Sequence, residues 1–105
     1  MSTFDELDPL IHSRIRLSIL SILMPVKEVE FVYLKETIGT TDGNLSTHLT
    51  KLEEAGYITI KKEFVNKRPR TTCQLSSKGR AAFIQYVETL NKFIHPENND
   101  DSDKK

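Results

Sequence analysis

The chain has no tryptophan, one cysteine, four prolines and four glycines among 105 residues. A lone Cys73 cannot close an internal disulfide, so stability must come from an apolar core, and a reducing cytoplasm is the expected compartment. No apolar run approaches the ~20 residues of a bilayer-spanning helix, and the polar start Met1-Ser2-Thr3-Phe4-Asp5-Glu6 has no leader-like apolar stretch. A glycine-rich phosphate loop and a nucleophile–base pair are missing as well, which argues against an enzyme. His12, His48 and His95 stand far apart, none with a second ligand at metal spacing, so no metal and no cofactor is expected. Net charge is also absent, at a formal +0. That zero hides an uneven distribution. Residues 61–80 hold seven basic side chains (Lys61, Lys62, Lys67, Arg68, Arg70, Lys78, Arg80) against Glu63 alone. Asp5, Glu6 and Asp8 at the front and Glu97, Asp100, Asp101 and Asp103 at the back supply the balance. A basic middle between acidic ends points to a polyanionic partner.

What is present is organised around residues 40–56. Thr40, Thr41 or Asp42 can cap a helix there, and Gly56 can close it. Leu45, Leu49 and Leu52 fall at i, i+4 and i+7 and share an inward side. The opposite side carries Gly43, Ser46, Thr47, Thr50 and Lys51, with Asn44 at its edge. Such a face is small and rich in hydrogen-bonding groups, as close approach to base edges in a major groove requires. His48 lies on the flank, suited to positioning the helix or touching phosphate, with a pH switch as the other option.

Residues 1–7 read as a flexible lead and 8–95 as a single domain. Asp8-Pro9 reads as an N-cap followed by the first helical residue. Ile11, Ile15, Ile19 and Ile22 form one stripe for the core, and Leu10, Leu17, Leu20 and Met24 lie on the far side. A helix apolar on two sides needs either a partner or a covering helix from its own chain; a subunit contact is expected. Pro25 ends it. A short strand is possible over residues 29–31. Residues 32–38 then make a short helix closed by Gly39, with Phe31, Leu34 and Ile38 inward. Two helices across a tight glycine-containing turn are a helix-turn-helix, whose second member (residues 42–55) reads the groove.

Residues 57–65 alternate, with Ile58, Ile60 and Phe64 on one side. Asn66-Lys67-Arg68-Pro69 reads as a turn, and residues 70–75 return with Cys73 and Leu75 inward. The hairpin, spanning residues 57–75, carries Lys67, Arg68 and Arg70, with Thr71 behind them, where a duplex backbone would pass. Ser76 or Ser77 caps a last helix over residues 77–94, with Phe83, Tyr86, Val87, Leu90, Phe93 and Ile94 in one stripe. Tyr86, Leu90, Phe93 and Ile94 are the candidates for a dimer contact with the free side of the first helix. Residues 96–105 have almost no apolar content and are expected to be a disordered acidic tail.

The order helix, helix, reader helix, hairpin, helix resembles the winged helix-turn-helix, mainly α with a small β-hairpin. At residue level the chain looks like the small prokaryotic regulators of the MarR and ArsR groups. The matching text is Arg16-Leu17-Ser18-Ile19-Leu20, Leu34-Lys35-Glu36, Gly39, Thr41-Asp42-Gly43-Asn44-Leu45-Ser46-Thr47-His48-Leu49, Lys51-Leu52-Glu53-Glu54-Ala55-Gly56-Tyr57-Ile58, Arg68-Pro69-Arg70-Thr71-Thr72, Leu75-Ser76 and Gly79-Arg80. The resemblance implies a homodimeric, cytoplasmic transcriptional regulator that binds double-stranded DNA, with Asp42 and Thr41 joining the reader contacts. An adaptor that uses the same fold to bind protein is the alternative. Asn66 stands where many relatives have glycine, Cys73 where an aromatic is usual, and Val32 where a capping Ser or Asp would be expected. No paired-cysteine metal motif of the ArsR type is present. No membrane association is expected, and no residue pattern marks a small-molecule effector.

Overall fold

A computed structural model describes residues 6–95. The elements run α1 (Arg14–Leu23), β1 (Val29–Glu30), α2 (Phe31–Ile38), α3 (Asp42–Glu54), β2 (Ile58–Val65), β3 (Arg68–Leu75) and α4 (Ser77–Ile94). The strands form an antiparallel sheet in the order β1-β3-β2. Ile11, Ile15, Ile19, Leu34, Leu45, Leu49, Leu52, Ile58 and Cys73 are buried in one core, on which α3 lays its leucine side. Each such leucine or isoleucine contributes about 1.5–3 kcal/mol on leaving water.

The first helix starts later than Asp8-Pro9 suggests. Asp8 does cap, its Oδ1 accepting from the Leu10 N–H at 2.9 Å, but it caps one isolated turn. Ser13 then caps α1, its hydroxyl accepting from the Arg16 N–H. Arg16 draws out the Leu10 carbonyl with its Nε, and the Tyr57 hydroxyl donates to Asp8 Oδ2. The first of these bonds is local and the second spans the fold, and both tie down the turn that precedes α1. Residues 1–5 and 96–105, most of the expected lead and the expected tail, lie outside the described residues. Of the rest of the lead, Leu7 is buried in the core rather than loose.

Two residues expected at a subunit contact are interior. Leu20 is fully buried inside its own subunit, and Tyr86 is buried with its hydroxyl 2.7 Å from His12 Nδ1. Leu10, Leu17, Met24, Leu90 and Phe93 are half-buried against the core. On α4 the exposed large apolar side chains are Ile84, Val87 and Ile94.

The helix-turn-helix forms as the sequence suggests. Gly39 closes α2 with φ 78°, and the Thr41 hydroxyl caps α3 by accepting from the Asn44 N–H at 3.1 Å. The cap residue of α2 is Glu30 rather than Val32, and it makes no side-chain cap bond. The hairpin turn is tighter than expected. Only Asn66 (φ 54°) and Lys67 (φ 67°) form it, both left-handed, so Val65 pairs with Arg68 and Phe64 with Pro69. The pair flanking a two-residue turn exchanges backbone hydrogen bonds and the next pair does not. Pro69 therefore stands where its missing N–H would have pointed outward. Because β1 pairs only with Thr72 and Cys73, that edge is open at residue 69. Phe64 keeps the face predicted for it but is 77% exposed, because the hairpin outruns the helices that cover Ile58 and Ile60.

Candidate nucleic-acid interface

The outward side of α3 is free of apolar bulk. Gly43, Asn44, Ser46, Thr47, Thr50 and Lys51 are all exposed, and a Cβ at Gly43 would meet nothing within 4 Å. A groove of about 300 Å³ runs between this helix and the hairpin, lined by Asp42, Ser46, Thr50, Lys62 and Thr71 over a floor of Phe31, Leu49 and Ile60. The structure thus brings the helix face and one face of the wing onto a common surface.

Not every expected contact is free to act there. Asp42 is ion-paired with Lys35 at 2.9 Å, tying the two helices of the motif together. Its carboxylate also sits at the positive end of α3, where it is favoured. The Asn44 amide donates to Thr40 Oγ1 at 2.8 Å, and the Thr47 hydroxyl donates to the Gly43 carbonyl at 3.0 Å. Asn44 and Thr47 would have to exchange those bonds for base edges. Ser46, Thr50 and Lys51 make no such bond among the described residues.

The wing differs most from its sequence reading. Lys67 and Arg68 are exposed at the tip, without ion pairs among the described residues. Arg70 is held instead by Glu30 (3.2 Å), Glu63 (3.8 Å) and Glu28 (3.9 Å), on the face turned away from α3. In its place stands Lys62, whose charge the sequence shows without singling it out as a contact. The signal was available: Lys62 follows Ile58 and Ile60 at two-residue steps, so it shares their face.

His48 is half-buried between α3 and α1. Arg16 Nη1 lies 2.9 Å from its Nδ1, and a guanidinium can only donate, so Nδ1 carries a lone pair. Burial, then the charges of Arg16 and Lys51, hold its pKa below the ordinary 6.5. The neutral ring therefore positions α3 against α1. Unfolded, the same histidine takes up protons at its ordinary value, so its contribution is full above about 6.5 and is lost on acidification. His48→Gln should flatten the decline in thermal stability between about pH 7 and pH 5. An unchanged pH profile by calorimetry would assign that decline to other groups.

Cys73 is fully buried, and burial with the nearby charge of Glu53 pushes its thiol up to about 11, so it is packing rather than a reactive thiolate. Among the described residues no group of His, Cys, Asp and Glu could hold a metal ion, and no helix is long and apolar enough to cross a membrane.

Comparison with known proteins agrees with this geometry. A profile of the family described as winged helix DNA-binding domain matches residues 15–94. An uncharacterized protein of Methanocaldococcus jannaschii is 43% identical over 76 residues, covering 72% of this chain and 83% of that protein. The structure of a transcriptional regulator homologue from Pyrococcus horikoshii superposes with a TM-score of 0.84 at 24% identity, covering 93% of this chain and 99% of the other. That of the transcriptional repressor CouR, bound to a 23-mer DNA duplex, superposes with a TM-score of 0.66 at 20% identity, covering 88% and 70%.

Proposed function

The chain belongs to the winged helix DNA-binding domain family, and from that premise we propose that it is a sequence-specific regulator of transcription acting as a cytoplasmic homodimer. As a member of that family it is a binding protein and not an enzyme. One observation carries the reading: the small, polar side of α3 and the Lys62 face of the hairpin border the same groove. In this reading α3 enters the major groove, where Ser46, Thr47 and Thr50 meet base edges and Gly43 allows close approach. Lys51 and Lys62 neutralise flanking phosphates, while Lys67 and Arg68 reach the backbone or minor groove next door. That the structurally similar CouR is bound to a DNA duplex supports duplex DNA as the partner by analogy of fold.

The exposed side chains Ile84, Val87 and Ile94 on α4 support pairing through the terminal helices. With Leu20 and Tyr86 interior, these three take their place in the expected contact, beside Leu90 and Phe93. Two copies would set two reader helices ~34 Å apart, one duplex turn. Selection of bound sequences from a random duplex library tests both parts. The expected product is a palindrome with half-sites about 10 base pairs apart. A single ungapped half-site would remove the dimer, and no enrichment at all would remove sequence-specific binding.

A further inference from the structure

The tip of the hairpin carries an exposed aromatic that the core has no use for. Phe64 is 77% exposed, more than any other large apolar side chain among the described residues. Its cross-strand partner is Pro69, two residues beyond the Lys62–Thr71 pair that lines the groove beside α3. Directly opposed residues share a face, so Phe64 and Pro69 continue the face of Ile60, Lys62 and Thr71 outward by about 7 Å. The left-handed Asn66-Lys67 turn makes theirs a pair without backbone hydrogen bonds, the class in which opposed side chains sit closest. The phenyl and pyrrolidine rings therefore form one apolar knob. Lys62 shares its face and Lys67 stands at the turn beside it, both exposed.

We infer that Phe64, backed by Pro69, is a wedge that enters the minor groove beside the reader helix and unstacks one base step, bending the duplex. This rests on the duplex-binding reading above. The cations beside the knob identify a polyanion as the occupant, and the shared face directs it to the same duplex that α3 reads. Apolar side chains inserted between base steps kink DNA by about 20–90°, and pyrimidine–purine steps yield most readily. The wedge thus adds a preference for a deformable step at a position where no hydrogen bond is made.

The test uses a duplex recovered by the selection, labelled at its ends with donor and acceptor dyes. The unaltered chain should shorten the end-to-end distance. Phe64→Ala should bind roughly tenfold more weakly, within the range expected when an aromatic no longer stacks on a base, and leave the duplex straight. Phe64→Leu should keep the bend. The exposure of Phe64 means that both variants fold. A bend of the same size with Phe64→Ala overturns the wedge and leaves duplex binding standing. Failure of the unaltered chain to bind any duplex overturns the underlying reading and the wedge with it. Phe64-dependent binding to phosphatidylglycerol vesicles, with an unbent duplex, assigns the knob to a lipid surface and also overturns the wedge.

Discussion

Replacing Gly79 by alanine is expected to lower the midpoint of thermal unfolding by roughly 10–20 °C, the consequence of about 3 kcal/mol of overpacking in a domain this size. Gly79 lies buried in the first turn of α4, facing the backbone where α3 passes into β2. A Cβ there would stand 2.8 Å from the Tyr57 carbonyl carbon, closer still to its oxygen, and 3.0 Å from Leu75 Cδ1. The carbonyl cannot swing aside cheaply, because it accepts from the Ser76 N–H at 3.0 Å. Nor can the helix shift freely: the Ser76 hydroxyl accepts from the Gly79 N–H at 2.9 Å and donates to the Gly56 carbonyl. Gly43 provides the control. It is also helical but opens onto empty space, so Gly43→Ala should stabilise by a few tenths of a kcal/mol, up to about 1. Melting curves of the two variants should move in opposite directions. A Gly79→Ala chain that melts with the unaltered protein would show that α4 is not seated on Tyr57 as described. If Gly43 is there for close approach to base edges, its alanine variant should also lose duplex affinity while gaining stability.

What could be read from the sequence was what depends on near neighbours. The Leu45–Leu49–Leu52 stripe and the Gly39 turn stand where the pattern puts them, and the caps fall on Thr41 and Ser76, each one of the candidates it offers, because all are set by residues within one or two helical turns. The start of α1 escapes the local pattern because one of the bonds that tie down the preceding turn spans the fold, from Tyr57 to Asp8. The sequence pattern sends Leu20 and Tyr86 to a partner for a similar reason. Periodicity shows that a side is apolar, but not which element of the same chain will cover it. Arg70 is the clearest case. Its carboxylates arrive partly on β1, whose two-residue pairing with Thr72 and Cys73 is a long-range event that no local pattern reports. Of the candidate reader residues, the five on the outward side (Gly43, Ser46, Thr47, Thr50, Lys51) were legible because they follow directly from the leucine phase.

The same distinction between local pattern and long-range partners decides how the wing should respond to charge removal. Replacing Lys62, Lys67 and Arg68 together by alanine is expected to reduce the slope of log affinity against log salt by about 0.9 for each phosphate that is no longer neutralised. Across a fourfold change in salt, three such phosphates account for roughly a 40-fold change in affinity per subunit. Arg70→Ala should leave that slope where it was. Its guanidinium is surrounded by Glu28, Glu30 and Glu63 and points away from the groove. Exposed ion pairs are individually weak, about 0–1 kcal/mol, so these pairs alone would not keep Arg70 from a phosphate. Position does: Arg70 stands two residues behind Arg68 and the turn, on the face away from α3, and reaching the α3 side from there would mean crossing a strand. The measurement is a salt titration of the selected duplex with each variant. An unchanged slope in the triple variant would take the hairpin out of the interface. A fall of equal size per residue with Arg70→Ala would mean that the arginine leaves its carboxylates for the duplex, and that the wing turns over on binding.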